Sequence, residues 1–137
     1  MVTHRQIPGQ FALLSTVPQL AGVEALTGPQ VAADGMLAEF RARRSIVLDG
    51  LRTLRGLDVP TPSGAFYAFP DVSGTGMDGA TFTERLLTEA GVSVLAGTDF
   101  GDVAVDQVRI SYANSRANLR LAIERMADLL AGSTSGV

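Results

Sequence analysis

The chain has 137 residues, of which 46% are hydrophobic and 18% are charged, and its formal net charge at pH 7 is −3. This composition is typical of one globular domain with a hydrophobic core, and it argues against a disordered chain. The acidic balance supplies no basic surface for a nucleic acid, and no apolar run approaches the length of a membrane span. We therefore expect a soluble protein with no nucleic acid or membrane partner, located in the cytoplasm.

Several residue types that carry catalytic chemistry are absent or nearly so. The chain has no cysteine and one histidine, His4, so zinc sites built from cysteine or from several histidines are excluded. The eleven basic side chains are all arginine. An arginine stays protonated at working pH and cannot form a Schiff base with an aldehyde. Covalent catalysis through a lysine amine is therefore excluded for these 137 residues.

Two helices are predicted in the first half of the chain, over residues 18–26 and 29–54, separated by a Gly-Pro break. We expect Arg41, Arg43 and Arg44 to form a solvated face of the second helix. Its apolar stripe has helical spacing and consists of Ala33, Met36, Leu37, Phe40, Val47, Leu48 and Leu51.

Short strands are predicted over residues 65–69, 92–95 and 108–112. A tight loop, residues 97–101, separates the last two. We interpret this loop as a turn rather than a phosphate cradle, because it neither leads from a strand into a helix nor contains a lysine. The last strand alternates, which predicts one apolar face formed by Val108, Ile110 and Tyr112.

Two further helices complete the pattern. Thr81 and Glu84 form a capping box at the start of one helix, and Gly91 ends it. Asn114-Ser115 caps the last helix, which has a periodic apolar stripe. The inward residues of the first are predicted to be Phe82, Leu86, Leu87 and Ala90, and those of the last Leu119, Ala122, Ile123, Met126, Leu129 and Leu130.

The predicted element order is α-α-β-α-β-β-α. This order indicates an α+β fold in which helices pack on one small antiparallel or mixed sheet. We expect residues 1–28 to form an N-terminal segment and connecting helix, residues 29–131 to form the compact domain, and residues 132–137 to form a frayed tail.

Three segments in order resemble a known family of enzymes. They are Pro62-Ser63-Gly64-Ala65-Phe66-Tyr67-Ala68-Phe69-Pro70, Gly91-Val92-Ser93-Val94-Leu95-Ala96-Gly97-Thr98-Asp99-Phe100-Gly101 and Val108-Arg109-Ile110-Ser111-Tyr112-Ala113. They are similar to the P-x-G-A-F-Y-x-F-P, G-V-x-V-x-P-G-x-x-F-G and V-R-I-S-x-A motifs in the small domain of class I/II aminotransferases, the fold-type I pyridoxal-phosphate enzymes. In the second motif, Ala96 stands where the family usually has proline.

The resemblance implies that Arg109 binds the α-carboxylate of an amino acid or 2-oxo acid substrate. A guanidinium suits this role because it presents paired donors to a carboxylate in a fixed, bidentate geometry. From spacing alone, an ordinary arginine on a solvated strand face is the alternative interpretation. The resemblance also implies that Tyr67 lies near the cleft between domains, whereas Phe66 and Phe69 are predicted to pack in the core.

The family's cofactor is pyridoxal phosphate, which a lysine of the large domain holds. No segment of this chain resembles that region, so no catalytic or cofactor-binding residue is predicted, and we expect no tightly bound cofactor. We interpret the chain as an aminotransferase small domain that is inactive alone because it lacks the large domain. The alternatives are one half of a split aminotransferase, a non-enzymatic carboxylate-binding module and an interaction module that forms homo-oligomers.

Overall fold

A computed structural model of the chain describes residues 16–132. Two 3-10 turns are present, Ser73–Thr75 and Gly97–Phe100, and the second lies in the predicted loop 97–101. The predicted α+β class and element order are confirmed, while the predictions for residues 1–15 and 133–137 lie outside the described residues. The regular elements are α1 (Thr16–Thr27), α2 (Val31–Arg52), β1 (Tyr67–Ala68), α3 (Gly79–Ala90), β2 (Leu95–Ala96), β3 (Val108–Ser111) and α4 (Arg116–Gly132).

The sheet has three strands in the order β1-β3-β2, and both pairings are antiparallel. Tyr67 of β1 lies opposite Ser111, and Leu95 of β2 lies opposite Arg109. The predicted alternation of β3 is confirmed, because Val108, Ile110 and the following Tyr112 are buried while their neighbours are not. β1 is shorter than predicted. Ala65 has a φ of +58°, which no β-strand can contain.

The hydrophobic core lies between the inner face of this sheet and the helices α2, α3 and α4. It contains no polar or charged side chain among the described residues. Burial of a large apolar side chain stabilises a protein by about 1.5–3 kcal/mol, so this cluster holds the sheet in place. Its members include Val47, Leu48, Leu51, Ala68, Phe82, Leu86, Val108, Ile110, Tyr112, Leu119 and Met126.

The apolar stripe of α2 is only partly buried, and one predicted inward position of α3 is wrong. Met36 and Leu37 of α2 are 60% and 48% exposed, and Ala33 is exposed as well, because packing of α2 against the core begins at Phe40. Leu87 of α3 is 56% exposed. Fewer apolar residues of α3 face the core than the sequence pattern predicts.

Two element boundaries also differ from the prediction. The helix α3 is capped by Asp78, whose Oδ1 accepts a hydrogen bond from the Thr81 N–H at 2.7 Å, so the predicted capping box at Thr81 is wrong. The strand predicted over residues 92–95 is displaced to Leu95–Ala96, because ladder pairing with β3 begins only at Leu95. The cap predicted before α4 is confirmed, since the Ser115 Oγ accepts a hydrogen bond from the Asn118 N–H at 3.1 Å.

The chain divides into two compact units, Met1–Met36 and Leu37–Val137. In the first unit every residue of α1 is exposed, although the helix carries large apolar side chains, namely Val17, Leu20, Val23 and Leu26. Within residues 16–132, none of the helices combines the length and apolar character that crossing a membrane requires.

Candidate functional site

Arg109 lies in the middle strand of the sheet, on the face opposite the core. Its neighbours on β3, Val108 and Ile110, are 0% and 7% exposed, whereas Arg109 is only partly buried. Its cross-strand partner Leu95 is 41% exposed. Because β3 lies between β1 and β2, the backbone of Arg109 is fixed in the middle of the sheet. Its side chain lies on the outer face of the sheet.

Two aromatic rings contact the Arg109 guanidinium. Its central carbon Cζ lies 4.4 Å from the centre of the Tyr67 ring and 4.1 Å from the centre of the Phe100 ring. Tyr67 comes from β1, and Phe100 comes from the 3-10 turn after β2. We call this pair of rings around Arg109 the aromatic clamp. A cation over the face of an aromatic ring is attracted by the electron density of that face.

The turn that carries Phe100 begins at Gly97, which is held close to neighbouring backbone. The Gly97 N–H donates to the Gln107 carbonyl at 2.7 Å. A Cβ atom at Gly97 would collide with the carbonyl oxygens of Ala104 and Gln107. The interpretation of residues 97–101 as a turn rather than a phosphate cradle fits this arrangement, because the only Gly97 donor is used within the protein.

The segment that precedes Tyr67 is held by contacts from α2 and from Tyr112, the residue after β3. The Tyr112 hydroxyl donates to the Ala65 carbonyl at 2.9 Å, and the Tyr112 N–H donates to the Phe66 carbonyl at 3.0 Å. From α2, the Arg44 Nη2 donates to the Pro62 carbonyl at 2.6 Å. These bonds stabilise the left-handed conformation of Ala65, which is unusual for a residue with a side chain.

The arginines predicted as the solvated face of α2 do not behave alike. Arg41 is exposed, as predicted, but Arg43 and Arg44 are partly buried, so the prediction is wrong for both. Arg43 pairs with Glu39 at 2.8 Å and lies over the Phe40 ring at 5.3 Å. The reason is that their long side chains lie across neighbouring groups and do not extend into solvent.

The predicted core positions of two phenylalanines need correction. Phe66 is 41% exposed, because the turn at Ala65 places its ring beside Tyr67 (4.6 Å between ring centres) and not inside the core. Phe69 is partly buried outside the core cluster and meets the Phe100 ring edge-on at 6.3 Å. Sequence reasoning did not identify Phe100 as a partner of Arg109. The only signal was an aromatic residue in a turn that precedes the arginine strand.

The Arg109 side chain makes no hydrogen bond or ion pair with any residue in the described range 16–132. Its N–H donors are therefore available to an external acceptor, and a carboxylate is the acceptor that a guanidinium fork fits best. No group of three or more histidine, cysteine, aspartate or glutamate side chains within that range could hold a metal ion.

Comparison with known proteins gives a consistent result. Residues 3–126 match the family model described as aminotransferase class I and II. The chain is 44% identical to an aspartate aminotransferase of Pyrococcus horikoshii over 94% of its own length and 33% of that protein. It is 45% identical to an aspartate/prephenate aminotransferase of Thermus thermophilus, over 84% of the chain and 30% of that protein. The chain thus spans about a third of the length of these relatives.

Solved structures agree with the sequence comparison. The fold matches an aromatic aminotransferase from Pyrococcus horikoshii with a TM-score of 0.79 and 37% identity, covering 85% of this chain and 31% of that one. It matches an aspartate aminotransferase from Rhizobium meliloti with a TM-score of 0.78 and 36% identity, over the same 85% and 31%. The resemblance carried by the three sequence motifs is therefore confirmed.

Proposed function

Since the chain belongs to the class I and II aminotransferase family, we propose that it is the substrate-binding small domain of a pyridoxal-phosphate-dependent aminotransferase. In this proposal Arg109 binds the carboxylate of an amino acid or 2-oxo acid between which the whole enzyme transfers an amino group. The observation that supports the role is the outward-facing guanidinium of Arg109, held by two rings and left with its donors unpaired among residues 16–132.

The chemistry of this binding step follows from charge and shape. A carboxylate and a guanidinium form two parallel hydrogen bonds between opposite charges, which fixes the orientation of the substrate as well as its position. The rigid strand beneath Arg109 limits how far the fork can move. Orienting a reactant in this way can account for a large part of an enzyme's rate acceleration.

Pyridoxal phosphate is the cofactor that family membership implies, and it supplies the carbon–nitrogen chemistry of amino-group transfer when bound. In the family a lysine amine holds its aldehyde, and these 137 residues contain no lysine. The residues present therefore do not fit the cofactor. We propose that this chain alone binds it only weakly and does not catalyse transamination.

The cofactor site would then come from a large domain outside these 137 residues, either in the same protein or in a separate polypeptide. A gene for a separate large domain beside this one would favour the split enzyme. The exposed apolar side chains of α1 support association, with that domain or with a second copy of the chain. The cytoplasm is the location that we propose for such an assembly.

A non-enzymatic carboxylate-binding module is the second candidate function, because the arrangement around Arg109 does not itself require a cofactor. The two candidates differ in what happens when a large domain is supplied. An aminotransferase small domain would contribute to amino-group transfer once the large domain is present, whereas a carboxylate-binding module would not.

Binding of pyruvate, a simple 2-oxo acid, tests the role of Arg109. We expect pyruvate to bind the purified chain weakly and Arg109→Ala to abolish that binding, as measured by NMR titration. Arg120→Ala, which removes an exposed arginine of α4, is the matched control and should bind like the wild type. Equal binding by the wild type and Arg109→Ala would refute the proposal.

The inactivity of the chain alone has its own test. The purified chain is mixed with pyridoxal phosphate, reduced with borohydride and mapped by mass spectrometry. We expect no adduct on any side chain, because no lysine is present. Measurable transamination by the chain alone would contradict this part of the proposal.

A further inference from the structure

Arg109 differs from Arg43, Arg44, Arg85 and Arg116 of the second unit in what holds it. Arg43, Arg85 and Arg116 are held by glutamate carboxylates, and Arg44 is held by a backbone carbonyl. Each of these contacts occupies N–H donors. The aromatic clamp holds Arg109 through the electron density of rings, and so it restricts the side chain without occupying its donors.

The two rings of the clamp contact the guanidinium independently of each other. Each ring centre is within 4.4 Å of Cζ, yet Tyr67 and Phe100 make no ring contact with each other in the part of the chain that the structure describes. A flat guanidinium stacks on aromatic faces. Stacking of this kind leaves the edge of the guanidinium, where its N–H donors point, open to a ligand.

Each ring of the clamp is itself supported by another ring. Phe69 meets Phe100 edge-on with 6.3 Å between ring centres. On the other side Phe66 lies 4.6 Å from Tyr67. Phe66 in turn lies 5.9 Å from Phe40 of α2. The clamp is thus part of a row of rings, which fixes its geometry before any ligand arrives.

We propose that Tyr67 and Phe100 are positioning residues that order Arg109 in advance for a carboxylate approaching along its edge. This inference rests on the proposed function, in which Arg109 binds the substrate carboxylate.

The size of the effect follows from the cost of ordering a long side chain on binding. Immobilising one flexible side chain weakens binding by about twofold to tenfold. Replacing either ring by leucine keeps an apolar side chain but removes the aromatic face. Tyr67→Leu and Phe100→Leu should therefore each weaken pyruvate binding by about twofold to tenfold, whereas Tyr67→Phe, which keeps the ring, should bind like the wild type.

The experiment follows the Arg109 Nε–H signal by ¹⁵N NMR, assigned by its loss in Arg109→Ala. In the wild type this signal should be displaced by the two rings and should move on addition of pyruvate. In Tyr67→Leu and Phe100→Leu the displacement should diminish along with the affinity. Tyr67→Phe, which keeps the ring that contacts Arg109, is the control and should change neither.

The outcomes separate the two proposals. If pyruvate leaves the Arg109 signal of the wild type unmoved, the proposed function fails, and the inference fails with it. If pyruvate moves that signal but the leucine variants bind it as tightly as the wild type, Arg109 binds carboxylates and the positioning role is refuted.

Discussion

The two faces of β3 carry out different tasks with alternate residues of one strand. The inner face presents Val108 and Ile110 to a core formed by three helices. The outer face presents Arg109 to two rings that come from β1 and from the turn after β2. The inner face is stabilised by the amount of apolar surface it buries. The outer face depends on the geometry of a few contacts.

This difference separates what a mutation should disturb. A change on the inner face should lower the stability of the second unit and should affect ligand binding only through folding. A change on the outer face should leave stability almost unaltered and should alter the binding of a carboxylate. Each prediction below tests one part of that division.

The largest effect is expected on the inner face, for Ile110→Ala. Ile110 is 7% exposed, and a truncation of this kind costs about 2–5 kcal/mol in the free energy of unfolding. Urea denaturation would measure it. The matched control is Leu95→Ala on the outer face, which we expect to cost about 1 kcal/mol or less because Leu95 is 41% exposed. An equal cost at both positions would mean that the outer face is covered in solution.

Tyr112 connects the core to the segment before β1, and removal of its hydroxyl tests this connection. The ring belongs to the core, but the hydroxyl donates to the Ala65 carbonyl, just before the aromatic segment. Tyr112→Phe should cost about 0.5–1.5 kcal/mol in the free energy of unfolding, since it removes one hydrogen bond and keeps the ring. Tyr67→Phe is the control, because the Tyr67 hydroxyl has no protein partner within residues 16–132. Urea midpoints that fall equally in both variants would contradict the linking role.

The inner face could be predicted from the sequence, while only one residue of the outer face could. Apolar alternation places Val108 and Ile110 on one side whatever the rest of the fold, because successive side chains in a strand point to opposite faces. Arg109 was identified through its motif. The contact between Arg109 and Phe100 depends on the position of the turn that begins at Gly97, which is held by its hydrogen bond to Gln107. No periodicity in the sequence predicts such a contact.

The wrong predictions have similar local causes. Phe66 is apolar and lies in an apolar run, so the pattern indicated the core. The positive φ of Ala65 shortens the strand and leaves Phe66 at the surface. The helix α3 starts two residues before the predicted capping box because Asp78 binds the Thr81 N–H. In each case one backbone angle or one side-chain hydrogen bond determines the local structure, although the pattern of several residues predicts a different one.

A substitution at Ala96 is expected to change the free energy of unfolding by a smaller amount and to raise it. It lies in the edge strand β2 with a φ of −65°, which is the value that proline imposes. Because the Gly97 N–H bonds Gln107, the adjacent Ala96–Val108 pair is of the non-hydrogen-bonded kind, so proline would remove no bond of the ladder. Ala96→Pro should raise the free energy of unfolding by about 0.4–1 kcal/mol. Leu95→Pro, in the bonded pair beside it, should destabilise instead, and thermal denaturation would compare the two.

The smallest effect is expected from Glu39, which lies on neither face and joins α2 to α4. Hydrogen bonds from Arg116 and Arg43 lower the pKa of its carboxyl from 4.5 to about 2. A pKa lowered by folding contributes stability that is present above about pH 4.5 and is lost as the pH falls toward 2. The side chains of Glu39 and Arg116 are 34% and 49% exposed, so water and salt weaken the attraction. Glu39→Gln should therefore be slightly less stable than the wild type at pH 6, and urea midpoints should converge as the pH falls through that window. A difference that stays constant from pH 6 to pH 2 would show that the glutamine variant loses packing and not charge.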